Sequence, residues 1–175
     1  MKKLLIVVDY QKDFVDGSLG FPKAKEIENN IVDKINEYKK NNDEIIFTLD
    51  THMSNYMLSK EGENLPIPHC IKNTEGHELY GKVKELAENH LKIEKETFGS
   101  KDLFKYLENK EYASIELIGV VTNICVISNA VIAKTVLPNT EILVDASCSS
   151  SNDEAMEQKA LDILKNLHIK VINEK

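Results

Sequence analysis

Residues 115–139 read IELIGVVTNICVISNAVIAKTVLPN. The first part, Ile115 to Val121, is a short and mostly apolar run, the composition of a strand buried on both faces. From Ile124 to Leu137 the chain is apolar almost all round. That predicts a buried helix, stopped by Pro138-Asn139. Cys125 then falls in the first turn of this helix, directly beyond the strand.

Working outward, the same alternation recurs. Upstream, Leu4 to Val8 is a continuous apolar strand. Ile27, Ile31, Ile35 and Tyr38 at helical spacing predict one amphipathic helix over about residues 24–40. Ile45 to Leu49 is a second strand. Residues 51–75 hold the prolines and polar residues of a long loop, a length that in a compact domain signals function. Leu79, Val83 and Leu86 mark a helix, and Leu91 and Ile93 a short strand that runs into Lys95. Ser100 is a candidate N-cap for a helix carrying Leu103, Phe104 and Leu107. Downstream, Ile142 to Val144 is a strand, and Ser151-x-x-Glu154 reads as a capping box before a helix with Ala160, Leu161, Leu164 and Leu167. Ile169 to Ile172 is a last strand. The pattern predicts an α/β fold: a three-layer sandwich with a mostly parallel sheet covered by helices on both faces.

The chain has 175 residues, expected to form one domain over 1–175 with the loop at about 50–75 as its insertion. Net charge is -7 with the two signs interspersed, which argues against nucleic acid and anionic membrane surfaces as partners. Leu4 to Val8 is too short for a secretory signal, and no apolar run reaches the ~20 residues of a membrane span. Three cysteines (Cys70, Cys125, Cys148) with no Cys-x-x-Cys fit a reduced, cytoplasmic setting.

In a parallel sheet, ligands bind beyond the carboxyl ends of the strands. Asp9, Asp50, Lys95, Thr122, Asn123, Cys125 and Asp145 stand at those ends. A lone cysteine on an apolar helix is ordinarily a small core residue, and a lone lysine solvated surface. Their joint placement is what points to chemistry. A thiolate at Cys125 is favoured by the helix N-terminus, and the N–H groups there can stabilise an oxyanion. Asp9 can take up the thiol proton and Lys95 can hold both groups charged. A second set is Asp50-x-His52, whose side chains point the same way in an extended segment, with His69 further on. Carboxylate and imidazole suit Zn, Mn or Fe, and Glu61 or Glu63 offers a further oxygen. Cys70 is read as a buried neighbour. His77 and His90 are expected in solvent, His168 and Cys148 as structural, and Ser147 to Ser151 as a loop and cap.

Four stretches resemble a known family in order along the chain. Val7-Val8-Asp9-Tyr10-Gln11-Lys12-Asp13-Phe14 resembles the opening strand of isochorismatase-like cysteine hydrolases. Leu49-Asp50-Thr51-His52, with Pro68-His69-Cys70, resembles the metal loop of their nicotinamidase branch. Ile93-Glu94-Lys95-Glu96-Thr97-Phe98 resembles the lysine segment, and Gly119 to Val126 the nucleophile motif. The resemblance implies a triad of Asp9, Lys95 and Cys125. It implies a cis peptide between Val120 and Val121, and an oxyanion hole from the N–H groups of Val121 and Cys125. It further implies a divalent metal on Asp50, His52 and His69, zinc foremost with Mn or Fe as alternatives, and Glu61 (rival Glu63) as the fourth ligand. Phe14, Val120 and Val121 would line the substrate pocket, and the chain would form a homo-oligomer. The implied reaction is nicotinamide hydrolysis through a thioester. Two departures, the absence of Trp and Asn123 where Asp is common, leave open another amide, carbamoyl or ureido substrate. An idle scaffold is the reading from a different class.

Overall fold

The computed structural model describes residues 1–174. Six strands, β1 (Leu4–Val8), β2 (Glu44–Asp50), β3 (Leu91–Lys95), β4 (Ser114–Val120), β5 (Glu141–Ser150) and β6 (Lys170–Ile172), form one sheet. Every pairing is parallel, in the order β3-β2-β1-β4-β5-β6. The helices are α1 (Lys12–Val15), α2 (Pro22–Glu26), α3 (Glu28–Lys40), α4 (Lys60–Asn64), α5 (Gly81–Leu86), α6 (Lys101–Leu107), α7 (Ile127–Val136) and α8 (Glu154–Asn166).

The continuous apolar run of β1 is explained by two cores. Leu4, Ile6 and Val8 pack with Leu103, Ala130 and Leu164 from α6, α7 and α8. Leu5 and Val7 point the other way, to Ile31, Ile35 and Val83 from α3 and α5. Each such fully buried side chain contributes about 1.5–3 kcal/mol of transfer free energy. The result is a three-layer α/β sandwich. Among the described residues, no helix is long and apolar enough to cross a membrane.

The chain winds outward from β1 to β3 and then returns to β4 on the other side. The winding therefore reverses between β1 and β4, and at such a point the loops part to leave a crevice. One residue makes this junction possible. Gly119 in β4 has φ 116°, and a Cβ there would lie 2.1 Å from the Val8 carbonyl oxygen. Gly119→Ala should therefore cost more than about 3 kcal/mol in urea unfolding. An unchanged midpoint would show that β1 and β4 do not need this contact.

Several local expectations are corrected. The single helix over 24–40 is two, α2 and α3, broken at Ile27. The strand at Ile142 runs on to Ser150, because after a register shift Ser149 and Ser150 pair with Gly119 and Val120. Asp145 consequently lies inside β5, held by Lys34 (3.0 Å), Ser147 and Asn173, and takes no place at the strand ends. Asp153, not Ser151, caps α8, its carboxylate accepting the Met156 N–H. The helix after β4 is not buried all round, since Ile124 and Val131 reach solvent.

Candidate active site

At the end of β1 the chain turns through Asp9, whose φ of 47° is left-handed, a conformation Asp tolerates better than most residues. Its side chain is fully buried. Thr48 on β2 donates its hydroxyl to Asp9 Oδ1 at 2.6 Å. Lys95, from the end of β3, reaches past β2 and sets Nζ 2.6 Å from Asp9 Oδ2. The same Nζ lies 3.6 Å from Cys125 Sγ, donates to the Thr97 carbonyl at 3.0 Å, and is 3.6 Å from Asp50 Oδ1. Three buried side chains from three separate strand ends thus meet at the switch point.

Cys125 sits in a wide π turn, Thr122–Val126, that precedes α7. The Val120–Val121 peptide before it is cis. The Val121 carbonyl accepts from the N–H groups of both Ile124 and Val126. Burial pushes the Cys125 thiol well above the usual thiol range, and Lys95 pulls the other way. Asp9 is also raised by burial against the pull of Lys95. Burial would lower Lys95, but Asp9, Cys125 and Asp50 outweigh it and raise its pKa, keeping the ammonium charged. The arrangement is a thiol raised by burial beside a strengthened carboxylate base and a fixed cation. In it Asp9 is placed to take up the thiol proton as the sulfur bonds to a carbonyl carbon.

Next to it, ligand atoms of Asp50, His52, Glu61 and His69 all lie within 4.8 Å of one another. Asp50 Oδ2 is 3.0 Å from His52 Nε2 and 3.3 Å from His69 Nε2, while Glu61 Oε1 is 3.5 Å from both. Glu63 instead pairs with Lys60. Two imidazoles and two carboxylates converging on one point are a donor set that fits a four-coordinate divalent ion. The His69 Nδ1 is 2.8 Å from the Ile67 carbonyl, which leaves Nε2 for the shared point. Burial disfavours a charged His69, yet Asp50, Glu61 and Ile67 push it up to about 10. A metal would replace that proton.

The loop closes on itself to make this set. The N–H of His52 donates to Cys70 O and that of Lys72 to His52 O, a short parallel bridge. Tyr56 packs edge-on against both imidazoles, with centroids 4.8 and 5.0 Å away. Ser59 caps α4, which carries Glu61. Phe14 lies 5.5 Å from the His69 ring. Cys70 is buried and stands outside the donor set, with a left-handed φ of 47°. A cavity of 370 Å³ flanks Lys95, lined by Thr51, Met53, Thr97, Gly99 and Ser100 among others; Cys125 and His69 are not part of its wall.

Residues to which the sequence assigned no role hold the site in place. Gln11 is fully buried; its amide donates to Asp50 O and His77 O, and its oxygen accepts the Asp50 N–H. Asp13 accepts the Cys70 N–H at 2.8 Å. His77, expected in solvent, faces the Thr51 hydroxyl at 2.8 Å. His90 is half-buried against Phe47, whereas His168 is exposed in a left-handed turn. Cys148 is buried with its thiol raised to about 12, consistent with packing.

An isochorismatase domain model matches residues 3–174. The chain belongs to the isochorismatase family. This family member is 37% identical over 144 residues to the isochorismatase family protein PncA of Bacillus subtilis (strain 168), covering 75% of this chain and 78% of that one. It is similar in structure to the nicotinamidase/pyrazinamidase PncA from Bacillus subtilis (TM-score 0.86, 32% identity, 98% and 99% of the two chains covered). A further isochorismatase-like neighbour is the pyrazinamidase of Pyrococcus horikoshii in complex with zinc (TM-score 0.86, 28% identity, 99% and 100% covered).

Proposed function

We propose that this chain is a nicotinamidase: nicotinamide and water give nicotinate and ammonia. The observation that carries the reading is the meeting of Asp9, Lys95 and Cys125 beside the four-donor set of Asp50, His52, Glu61 and His69. Similarity across nearly the whole chain to a protein named nicotinamidase/pyrazinamidase supports it. Cys125 Sγ bonds to the carboxamide carbon as its proton passes to Asp9. Asp9 returns that proton to the nitrogen, the carbon–nitrogen bond breaks, and ammonia leaves. Water, deprotonated by Asp9, then resolves the thioester to the acid and the free thiol. The N–H groups of Val121 and Cys125 receive the negative oxygen. Lys95 keeps Asp9 oriented and offsets the charge it sheds and regains. Phe14, Val120 and Val121 form the walls for a flat ring.

A divalent ion on Asp50, His52, Glu61 and His69, zinc foremost and Mn or Fe as alternatives, would supply a Lewis-acid anchor for the pyridine nitrogen. The active unit is residues 1–175 as one domain with its metal loop at 50–75, in a cytoplasmic homo-oligomer.

The test is ammonia release from nicotinamide, measured beside a panel of carbamoyl and ureido compounds, with elemental analysis of the same protein. Nicotinamide should be turned over, and chelation should lower the rate on the order of 10²–10³-fold, restored by zinc. Turnover of a ureido compound with nicotinamide inert would move the assignment to another amidase. Complete inactivity of metal-loaded protein on every amide would leave a binding role.

A further inference from the structure

Cys125 and Lys95 come from different layers of the chain, and something must set the distance between them. Asn129 lies one helical turn beyond Cys125, fully buried in α7. Its Nδ2 donates to the Cys125 carbonyl at 2.8 Å and to the Phe98 carbonyl at 3.1 Å. Its Oδ1 accepts the Ser100 N–H at 3.0 Å. One amide thus joins the sulfur-bearing turn to the segment that follows Lys95. That segment is held on its other side by the lysine, whose Nζ donates to Thr97 O. It also lies flush on α7: a Cβ at Gly99 would meet Ile132 Cδ1 at 2.8 Å.

We propose that Asn129 is a positioning residue that fixes the spacing between Cys125 and Lys95. The proposal rests on the reading of Cys125 as nucleophile and goes beyond it. The physical basis is that a buried amide uses both N–H groups and its oxygen here, so its loss takes a donor from two carbonyls and an acceptor from one N–H in a dry layer. Those losses can be relieved only by moving the 97–100 segment, and Lys95 moves with it. Small displacements of groups that must be in contact during reaction are costly.

Two variants separate this role from plain stabilisation. Asn129→Asp keeps the shape but sets oxygens against two carbonyls. Asn129→Thr can still donate from its hydroxyl to the carbonyl four residues back, that of Cys125, but is too short to span to Phe98 and Ser100. Both should lower kcat about 10- to 100-fold with KM changed less than about twofold. The rate of carboxamidomethylation by iodoacetamide, mapped to Cys125 by mass spectrometry at one fixed pH, should change along with kcat. Wild-type kcat and alkylation rate in either variant, at a temperature where it is folded, overturn the proposal. So does a loss confined to thermal stability. A Cys125→Ala control distinguishes the two readings. If that control still turns over, the nucleophile assignment has failed; if it is dead while both Asn129 variants are normal, only the positioning role has failed.

Discussion

Cys125→Ala should reduce amide turnover by at least about 10⁴-fold while leaving the protein folded. The size follows from Cys125 being the cysteine that faces Lys95 among the described residues. Cys70, beside His69, and Cys148 are buried with thiols raised by burial, and neither bonds to Lys95, whereas the Cys125 sulfur faces it. The structural cost is small, because replacing a buried thiol by methyl removes one atom from a turn held by backbone bonds to the Val121 carbonyl. A loss of about 1 kcal/mol, a shift of a few degrees in Tm, is the expected scale. Steady-state ammonia release and a thermal melt on the same preparation test both halves. Turnover within tenfold of wild type would remove the thioester route altogether.

Lys95→Met should do more damage to the fold than the cysteine variant and comparable damage to activity. The ammonium is almost wholly enclosed, 2.6 Å from a carboxylate with no exposure of its own. Removing one partner of a buried pair strands the other charge, at a cost of about 3–5 kcal/mol. Asp9 would escape by taking up a proton, which also ends its use as a base. The double variant Asp9→Asn/Lys95→Met removes both charges together. It should regain most of the lost stability in urea unfolding and none of the turnover. If Lys95→Met alone is as stable as wild type, the enclosed ion pair does not hold the rim together. If the double variant is no better than the single one, packing of the lysine stem rather than charge is what matters.

Much of the architecture was legible because burial on two faces writes itself as uninterrupted apolar runs, as in Leu4–Val8. Placing Asp9, Lys95 and Cys125 at strand ends needed only that pattern and the rule about carboxyl ends. Their order across the sheet was not legible, since periodicity says nothing of which strand neighbours which. The roles of Gln11, Asp13, Thr48 and Asn129 were not legible for a different reason: each is a common polar residue whose significance lies in partners 29 to 66 positions away. The choice between Glu61 and Glu63 depended on the phase of a five-residue helix, which turns one inward and the other toward Lys60. The enclosure of the thiol was not legible either: a helix start favours an anion, whereas burial opposes it, and burial depends on how distant segments pack.

The run from Asp9 to Phe14 reaches both the lysine and the four-donor set. Asp9 meets the lysine, Gln11 grips the main chain of Asp50, Asp13 secures the bend at Cys70, and Phe14 leans on His69. Six consecutive residues therefore act as a ruler laid across both half-sites. Adding or deleting a single residue within it would disarm the base and disassemble the cation cradle at one stroke.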